Sequence, residues 1–333
     1  MKAVVITKPG GPEVLEVQDV AAPEPEAGEI LVRVRAAGVN RADLLQRMGQ
    51  YPAPFGAPAT IPGLEYAGEV AALGMGARAW KAGDRVMGLV PGGAYAEFLT
   101  THEAVALRVP DGWTFEQAAA VPEVFITAYD ALMRQMLLRA GERLLIQAVG
   151  SGVGTAALQL AVAIHARTFG TSRSAAKLER ARALGLEVAI DTSREDFVEI
   201  IRQKTDGGGV DVVLDLVGGP ALAGNIQVLA RGGRMIVVGL TGGRSAPIDL
   251  GAVLSKRLTI VGTVLRARTL DEKIAVTTAF AQDILPLLEA GMVKPVLDRT
   301  YTLSEAADAH RHLESNATFG KLVLTTAAIG GRL

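Results

Sequence analysis

The spacing of apolar residues divides the chain into two kinds of segment. Up to about residue 124, short stretches of alternating apolar and polar residues are separated by Gly and Pro, as at Leu31–Ala36 and Tyr66–Val70. Alternation with a period of two predicts half-buried strands, and the glycines and prolines predict turns between them. This part is therefore typical of a small antiparallel barrel or sandwich. A helix predicted over 41–47 leads into a Pro/Gly loop around Tyr51.

From about residue 125, apolar strands alternate with helices. The predicted strands cover 144–149, 167–171, 188–190, 210–215, 234–239 and 258–262. The predicted helices between them cover 153–166, 175–184, 197–204 and 219–229. Continuous apolar strands that alternate with helices favour a doubly wound parallel sheet, because both faces of such a sheet are covered. Beyond 267 we predict further helices and a last strand at 321–324, and we expect this tail to return to the first domain.

Length and charge exclude several classes of protein. A chain of 333 residues is too long for one typical core and favours two domains. The net charge of −1 gives no reason to expect nucleic-acid or anionic-membrane binding. No apolar run reaches the ~20 residues that span a bilayer, and the apolar start is too short for a signal peptide. We therefore expect a cytoplasmic protein.

The supply of metal ligands is poor. The chain has no cysteine, which excludes disulfides, thiolate catalysis and cysteine-ligated zinc. It has four histidines, of which His310 and His312 are two residues apart in a predicted helix. Residues at that spacing do not share a helical face, so they form a poor metal pair. We predict no metal site.

A glycine-rich turn connects the strand at 144–149 to the helix that follows. Gly150, Gly152 and Gly154 form a G-x-G-x-G pattern, and Thr155 stands where a third glycine is usual. Glycines let the backbone turn tightly, and the free N–H groups at a helix start bind a pyrophosphate. In this context the turn indicates a dinucleotide-binding half, although an ordinary strand–helix connection has the same elements.

Short motifs along the whole chain identify a family. They are Lys8–Glu13 (KPGGPE), Asn40–Asp43 (NRAD), Gly49–Tyr51 (GQY), Pro62–Glu65 (PGLE), Gly92–Glu97 (GGAYAE), Ala118–Pro122 (AAAVP), Asp215–Gly219 (DLVGG) and Phe319–Lys321 (FGK). With the glycine turn, they resemble the medium-chain dehydrogenase/reductase superfamily, and specifically its zinc-free quinone oxidoreductase branch. Segments 40–51 and 151–157 are most similar to the tumour-suppressor-inducible quinone oxidoreductase subgroup.

The resemblance implies an α/β fold with two domains. One is a GroES-like, mainly antiparallel β catalytic domain formed by 1–124 and 267–333. The other is an NADP-binding Rossmann domain, a doubly wound parallel sheet, formed by 125–266. The substrate is expected in the cleft between the two domains.

The zinc ligands of the related alcohol dehydrogenases have no counterpart in this sequence. The resemblance places Asn40 where those enzymes have a zinc-binding Cys, and Leu64 where they have a His. Neither side chain is a thiolate or imidazole donor, and the four-cysteine structural lobe is also missing. Zinc-dependent alcohol oxidation, in which the metal polarises the oxygen, is therefore disfavoured.

The end of the second strand of the predicted parallel sheet indicates the cofactor. NAD-specific sheets usually have an Asp or Glu there, which binds the ribose 2′-hydroxyl. Here Arg173, Ser174 and Lys177 follow the strand, and they offer charge-assisted hydrogen bonds to a 2′-phosphate. We predict NADPH. The alternative is that Arg173 and Lys177 are solvated charges at the start of a helix. In related reductases a Tyr near the third strand often helps to bind the phosphate, and Thr192 stands at that position here.

The resemblance also implies which residues form the site. The catalytic candidates are Tyr51, Asn40 and Ser151. The cofactor-binding candidates are Asn40, Thr127, Gly150, Ser151, Gly152, Val153, Gly154, Arg173, Ser174, Lys177, Thr192, Val217, Gly239, Leu240, Thr241, Leu265, Asn316 and Lys321. Hydride transfer to a quinone needs mainly orientation and exclusion of water, since solvent can protonate the product. Tyr51 either hydrogen-bonds a quinone oxygen or only packs against the ring.

Three functions agree with these motifs. The first is an NADPH-dependent quinone reductase, and the second is an NADPH-dependent reductase of activated C=C bonds in an enal, enone or enoyl thioester. The second needs a better-placed proton donor for the enolate. The third is a dinucleotide-binding structural or regulatory protein with little activity. A homodimer is also expected, because the apolar strand at 258–264 is predicted near a sheet edge that needs covering.

Overall fold

The computed structural model describes residues 1–326. These residues form two compact units. The first unit comprises Met1–Ile126, Leu265–Gly291 and the described chain from Pro295 onward. The second unit comprises Thr127–Val264 and Met292–Lys294.

The elements follow one another in the order that the sequence patterns indicate. The strands are β1 Lys2–Ile6, β2 Leu15–Asp19, β3 Glu29–Val39, β4 Glu65–Leu73, β5 Arg85–Leu89, β6 Phe98–His102, β7 Ala106–Arg108, β8 Arg143–Ile146, β9 Arg167–Ser172, β10 Val188–Asp191, β11 Val210–Asp215, β12 Leu229–Val237, β13 Thr259–Gly262, β14 Leu297–Thr302 and β15 Lys321–Thr325. The α-helices are α1 Arg41–Arg47, α2 Phe115–Ala119, α3 Pro122–Tyr129, α4 Gly152–Ala163, α5 Ala175–Arg182, α6 Phe197–Lys204, α7 Gly219–Val228, α8 Leu250–Lys256, α9 Leu270–Asp283, α10 Leu285–Glu289 and α11 Ala306–Glu314. A π-helical segment, Asp130–Gln135, follows α3.

The first unit is built on a seven-stranded sheet in the order β14-β15-β3-β4-β5-β7, and β6 also pairs with β3. Its pairs are antiparallel except for the parallel pair β14–β15. In β3, alternate residues Ile30, Val32 and Val34 are at most 1% exposed and belong to the core. The alternation places one face of the strand in the core, as the period of two predicts.

The second unit contains a six-stranded parallel sheet in the order β10-β9-β8-β11-β12-β13. Counted along the chain this is the order 3-2-1-4-5-6, with the reversal at β8, which is the arrangement of a Rossmann fold. The α/β fold class predicted from the sequence is therefore confirmed. In such sheets ligands bind beyond the carboxyl ends of the strands at the reversal, where the chain leaves β8.

Strand β13 lies at one edge of that sheet. Nearby apolar side chains are exposed, including Leu250 (68%), Leu254 (79%) and Val264 (56%). An uncovered edge of this kind suits pairing with a second copy, but the homodimer stays a prediction that sedimentation would test. Among the described helices, none is long and apolar enough to cross a membrane.

Candidate functional site

In the first unit, Asn40 lies at the junction of β3 and α1 and is 8% exposed. Its backbone N–H donates to Asp43 Oδ2 at 2.8 Å, which caps the helix. Its side chain uses both ends of the amide: Nδ2 donates to Glu65 Oε1 at 2.8 Å, and Oδ1 accepts from Lys321 Nζ at 2.6 Å. Asn40 is thus held in one orientation.

Lys321 and Glu65 form a buried ion pair beside Asn40. Lys321 Nζ lies 2.6 Å from Glu65 Oε1, with side-chain exposures of 3% and 0%. The ammonium also donates to Asn40 Oδ1 and to Val39 O, so its three protons are all used inside the first unit. Its charge balances Glu65 and fixes the Asn40 amide, and its contact with the cofactor stays a prediction.

A second buried network supports the same helix start. Asp43 is fully buried, and its carboxylate accepts from the N–H groups of Asn40 and Gly63 and from the hydroxyl of Tyr95. Burial raises the pKa of Asp43 to about 6, although the two N–H bonds and the charge of Lys321 oppose the shift. The Tyr95 hydroxyl also lies 3.3 Å from His310 Nε2. Burial, then the charge of Arg47, lowers the pKa of His310 to about 3, so this histidine is neutral.

Tyr51 is held by Arg266, a residue that the sequence analysis did not select. The guanidinium donates to Tyr51 O at 3.2 Å, to Pro91 O at 2.7 Å and to Gln46 Oε1 at 2.5 Å. It also lies over the Tyr51 ring, 5.0 Å from its centroid, in a cation–π geometry. Burial raises the pKa of Tyr51, and Arg266 opposes that shift. The half-buried Tyr51 ring is therefore positioned by a residue more than 200 positions away along the chain.

A small cavity in the same unit brings further residues together. It is lined by Leu64, Leu89, Val90, Val105, Glu123, Leu265, Arg266, Lys273, Val276 and Thr277. Leu265 was a predicted site residue, and it is 8% exposed. Glu123 was not predicted: in the sequence it is one acid after a proline, and no local pattern marks it as part of a cavity.

Asn316, also in the first unit, is exposed and has a left-handed backbone with φ 57°. Its Oδ1 accepts from Arg41 Nη2 at 2.7 Å. Arg41 is the first residue of α1, directly after Asn40. The structure therefore brings Asn316 to the helix start that carries Asn40.

In the second unit, the glycine turn leads from β8 into α4. Ser151 is the N-cap, and its Oγ accepts from the N–H of Gly154 at 3.0 Å. Among residues 1–326, the N–H groups of Gly152 and Val153 have no acceptor. The first turn of α4 also contains no acidic residue. Free N–H groups at the positive end of a helix suit a phosphate.

Buried side chains at the ends of the neighbouring strands form a hydrogen-bonded series next to this turn. Thr171 Oγ1 donates to Gln147 Oε1 at 2.6 Å, and Gln147 Nε2 donates to Asn225 Oδ1 at 2.6 Å. Asn225 Nδ2 then donates to Asp215 Oδ2 at 3.1 Å. This series links the ends of β9, β8 and β11, which are neighbours in the sheet. Ala148 can therefore be kept in a left-handed conformation with φ 56° at the start of the turn.

The end of β9 carries the residues predicted to choose the cofactor. Ser174 is the N-cap of α5, and its Oγ accepts from Lys177 N at 3.4 Å. Arg173, which connects β9 to Ser174, is exposed. Thr192 N–H donates to Ser172 O at 3.0 Å, so Thr192 lies beside this end. The register also places Asp191 opposite Ser172. Asp191 is thus an acid near this end that the sequence analysis missed.

The carboxylate of Asp191 is engaged elsewhere. Asp191 Oδ1 accepts from the hydroxyl of Ser193 at 2.6 Å and from its N–H at 3.0 Å. These two bonds lower the pKa of Asp191. The carboxylate is therefore bound to its own turn, while Arg173 remains exposed at the end of β9.

The remaining predicted residues of the second unit lie after β11 and β12. Gly242 N–H donates to Val217 O at 2.8 Å, and Thr241 Oγ1 donates to Leu216 O at 2.9 Å, so the two loops meet. A Cβ on Gly239 would lie 2.9 Å from Leu216 O, which explains why glycine is needed there. Leu240 is 47% exposed, and Thr127 is 8% exposed on α3.

Comparison with known proteins identifies relatives over the whole chain. A model described as "Alcohol dehydrogenase GroES-like domain" matches residues 26–111, and one described as "Zinc-binding dehydrogenase" matches 184–324. The quinone oxidoreductase of Pseudomonas aeruginosa is 36% identical over 316 residues, covering 95% of this chain and 96% of its own length. That of Rattus norvegicus is 33% identical over 328 residues, covering 97% of each chain.

Solved structures of dehydrogenases and reductases are also similar to nearly the whole chain. The Escherichia coli quinone oxidoreductase complexed with NADPH has a TM-score of 0.88 and 32% identity, covering 98% of this chain and 100% of its own. An NAD-dependent alcohol dehydrogenase has a TM-score of 0.89 and 33% identity, with coverages of 98% and 100%. CurK enoyl reductase has a TM-score of 0.86 and 27% identity, with coverages of 97% and 98%.

These similarities define the class of protein: the chain belongs to the medium-chain dehydrogenase/reductase superfamily, as its motifs predict. Within that superfamily it belongs to the quinone oxidoreductase family, whose curated members it matches over nearly their full length. The narrower subgroup suggested by segments 40–51 and 151–157 stays a prediction.

The zinc ion implied by the name of one matched model does not fit the residues present. Both ends of the Asn40 amide are already used, and Leu64 has no donor atom. The Lys321 ammonium, 2.6 Å from both Asn40 Oδ1 and Glu65 Oε1, already supplies a positive charge there. Across residues 1–326, no group of three or more His, Cys, Asp or Glu is placed to hold a metal ion.

Proposed function

We propose that this protein is an NADPH-dependent quinone reductase that works without a bound metal. The observation that carries the proposal is the contact of the Lys321 ammonium with Asn40 and Glu65. That arrangement supplies a fixed positive charge without any group that could polarise an alcohol oxygen as zinc does. The quinone oxidoreductases of P. aeruginosa and rat, similar along their whole length, support the choice of acceptor.

NADPH fits the second unit. The unpaired N–H groups of Gly152 and Val153 suit its pyrophosphate, and Arg173 and Ser174 suit the 2′-phosphate. Oδ1 of Asp191 is occupied by the hydroxyl and N–H of Ser193, so this oxygen is not free to accept from a ribose 2′-hydroxyl. The E. coli relative complexed with NADPH supports the same cofactor. When bound, NADPH supplies the hydride.

The chain's own residues orient the reactants. We assign to Tyr51 a hydrogen bond to a quinone oxygen and to Asn40 a contact with the cofactor ribose. Ser151 keeps the phosphate-binding turn closed through its bond to Gly154. The other predicted cofactor residues, Lys321 included, keep their assignments as proposals.

Reduction of an activated C=C bond is the second candidate function. The similarity to CurK enoyl reductase favours it, and so does an acidic side chain in the cavity beside Leu64. Incubating the protein with NADPH and a quinone, an enone or an enoyl thioester, and following NADPH absorbance, separates the candidates. Fastest turnover with quinones supports the first function, fastest turnover with either alkene supports the second, and none at all supports a structural protein.

Tyr51→Phe tests the assigned role of the hydroxyl. The change keeps the ring beneath Arg266 and the backbone oxygen that Arg266 binds, so only the hydroxyl is lost. We expect kcat with a quinone to fall about tenfold, the effect of one hydrogen bond of ~1.4 kcal/mol, while the Kd for NADPH stays within twofold. Tyr301→Phe, which removes a hydroxyl bonded to His312, is the control and should leave kcat unchanged. An unchanged kcat in Tyr51→Phe would remove Tyr51 from the site.

A further inference from the structure

Glu123 lines a small cavity in which no described residue forms a hydrogen bond with its carboxyl group. It lies in the first turn of α3, and its backbone N–H donates to Glu65 Oε2 at 2.8 Å. Within the described residues its side-chain oxygens make no hydrogen bond, although its neighbours Glu65 and Asp43 are fully bonded. The cavity it lines has a volume of about 20 Å³ and includes Leu64 and Leu265.

The charges around this carboxyl come from several elements. Glu65 on β4 and Asp43 on α1 act against its ionisation, whereas Lys321 on β15 and Arg266 before α9 favour it. Lys273 on α9 lines the same cavity, and burial, then the charge of Arg266, lowers its pKa. Burial is the largest influence on Glu123 and Glu65 the next, and together they raise the pKa of Glu123 to about 8. The carboxyl therefore holds its proton at neutral pH.

The same cavity is next to the residues assigned to the acceptor. Arg266 lines the cavity and holds Tyr51. The Arg266 guanidinium lies 5.0 Å from the centroid of the Tyr51 ring. Glu65 joins Glu123 to Asn40, because its Oε2 accepts from the Glu123 N–H and its Oε1 from the Asn40 amide. Glu123 thus lies beside the side chains that we assign to the acceptor.

We propose that Glu123 is the proton donor of the reaction and transfers its carboxyl proton to the oxygen anion that forms on the acceptor. This proposal rests on the proposed reductase function. In the balanced step, NADPH is oxidised to NADP⁺ as its hydride forms a new bond to the acceptor, whose electron pair moves to oxygen. The O–H bond of Glu123 breaks, and a new O–H bond forms on the product, a hydroquinone or an enol that becomes the saturated ketone. Glu123 remains as a carboxylate.

The surroundings of Glu123 also suit its return to the acid form. The carboxylate is left near the cations Arg266 and Lys321, which stabilise it after the transfer. A cavity of about 20 Å³ with polar groups on its wall has room for one water molecule. Such a water can return a proton to Glu123 before the next turnover.

Glu123→Gln tests this role, with Glu123→Asp as the conservative variant and Glu289→Gln as the matched control. Glu289 is exposed on α10 in the same unit and carries the same change away from the cavity. For each protein, kcat for NADPH oxidation is measured with a quinone and with an enone at pH values on both sides of 8. NADPH binding is measured by calorimetry and folding by thermal melting.

In the wild type, kcat should fall as pH rises through about 8, because the acid form is needed. Glu123→Gln should lower kcat about 100-fold and abolish this descending limb, while the Kd for NADPH and the melting temperature stay close to those of the wild type. Glu123→Asp should keep the limb, and Glu289→Gln should behave as the wild type. A change in packing alone would not remove a limb of the pH profile.

Two results would overturn the proposal, and only the second would also overturn the reductase function. If the wild type turns over but Glu123→Gln keeps both its kcat and the limb, Glu123 is not the donor and the reductase function still holds. If the wild type binds NADPH but reduces neither acceptor, the proposed function fails and the role of Glu123 fails with it.

Discussion

Replacing Lys321 with Met is expected to lower the free energy of unfolding of the first unit by about 3–5 kcal/mol. The Lys321 ammonium contacts Glu65, Asn40 and Val39, and it is 3% exposed. Without it, the Glu65 carboxylate is left in the core with only hydrogen bonds from Asn40 and the Glu123 N–H. Removing one partner of a buried pair is costly because the other charge stays buried.

The unfolding measurement can be confined to the first unit. Both tryptophans, Trp80 and Trp113, belong to it, so tryptophan fluorescence in urea reports its unfolding. Lys2→Met is the control, since Lys2 pairs with Asp19 at the surface with side-chain exposures of 37% and 74%, and we expect it to cost less than about 1 kcal/mol. Adding Glu65→Gln to Lys321→Met should recover part of the loss. A loss below about 1 kcal/mol in Lys321→Met would contradict the assigned role of the pair.

Replacing Gly154 with Val is expected to weaken NADPH binding about 100-fold, or ~2.7 kcal/mol. A Cβ at Gly154 would lie 2.6 Å from Ala148 O and 2.7 Å from Val149 O, both in the backbone of the turn that precedes α4. The turn must therefore move, and the N–H groups proposed to bind the pyrophosphate move with it. These contacts are with backbone atoms, so no side-chain rotation relieves them.

Gly262→Val is the matched control for this change. Gly262 lies in the same unit at the end of β13, and a Cβ there would meet no atom of the described residues within 4 Å. Its NADPH affinity should stay near that of the wild type, as measured by calorimetry. A Kd for Gly154→Val within threefold of the wild-type value would contradict the assignment of the turn.

The local sequence predicts much of the fold. The helices at 41–47 and 197–204 and the strand at 210–215 are found with the predicted bounds. In these segments an apolar pattern is bounded by Asn40, Asp196 and a Gly run, which mark where an element starts. The predicted strand at 234–239 instead begins at Leu229, because its first residues pair with β11 across an irregular register that apolar spacing does not reveal.

The site is less predictable because its contacts join distant segments. The sequence identifies Asn40, Tyr51 and the turn at 150–154 through motifs, but it does not reveal what holds them. Arg266 is 215 positions from Tyr51 in the chain, and Lys321 is 281 from Asn40. Only the pairing of β15 with β3 brings Lys321 to Asn40.

Asp191 and Glu123 show the same limit for acids. Asp191 lies far from the end of β9 in sequence but beside it in the sheet, because β10 pairs with β9 in register. Glu123 looks like an ordinary helix-start acid until Glu65 and Leu64 are placed next to it. Hydrogen bonds from Ser193 lower the pKa of Asp191, whereas burial raises that of Glu123, so the surroundings set the chemistry of each acid.

The most direct test of the central claim is the oxidation of NADPH by a para-quinone in protein dialysed against a metal chelator. The ratio of kcat/KM for NADPH to that for NADH is determined with the same quinone. Turnover without metal, and a ratio of at least about ten, equal to ~1.4 kcal/mol, is the predicted result. Loss of turnover on chelation, or equal kcat/KM values for the two cofactors, would contradict a metal-free reductase whose second strand selects NADPH.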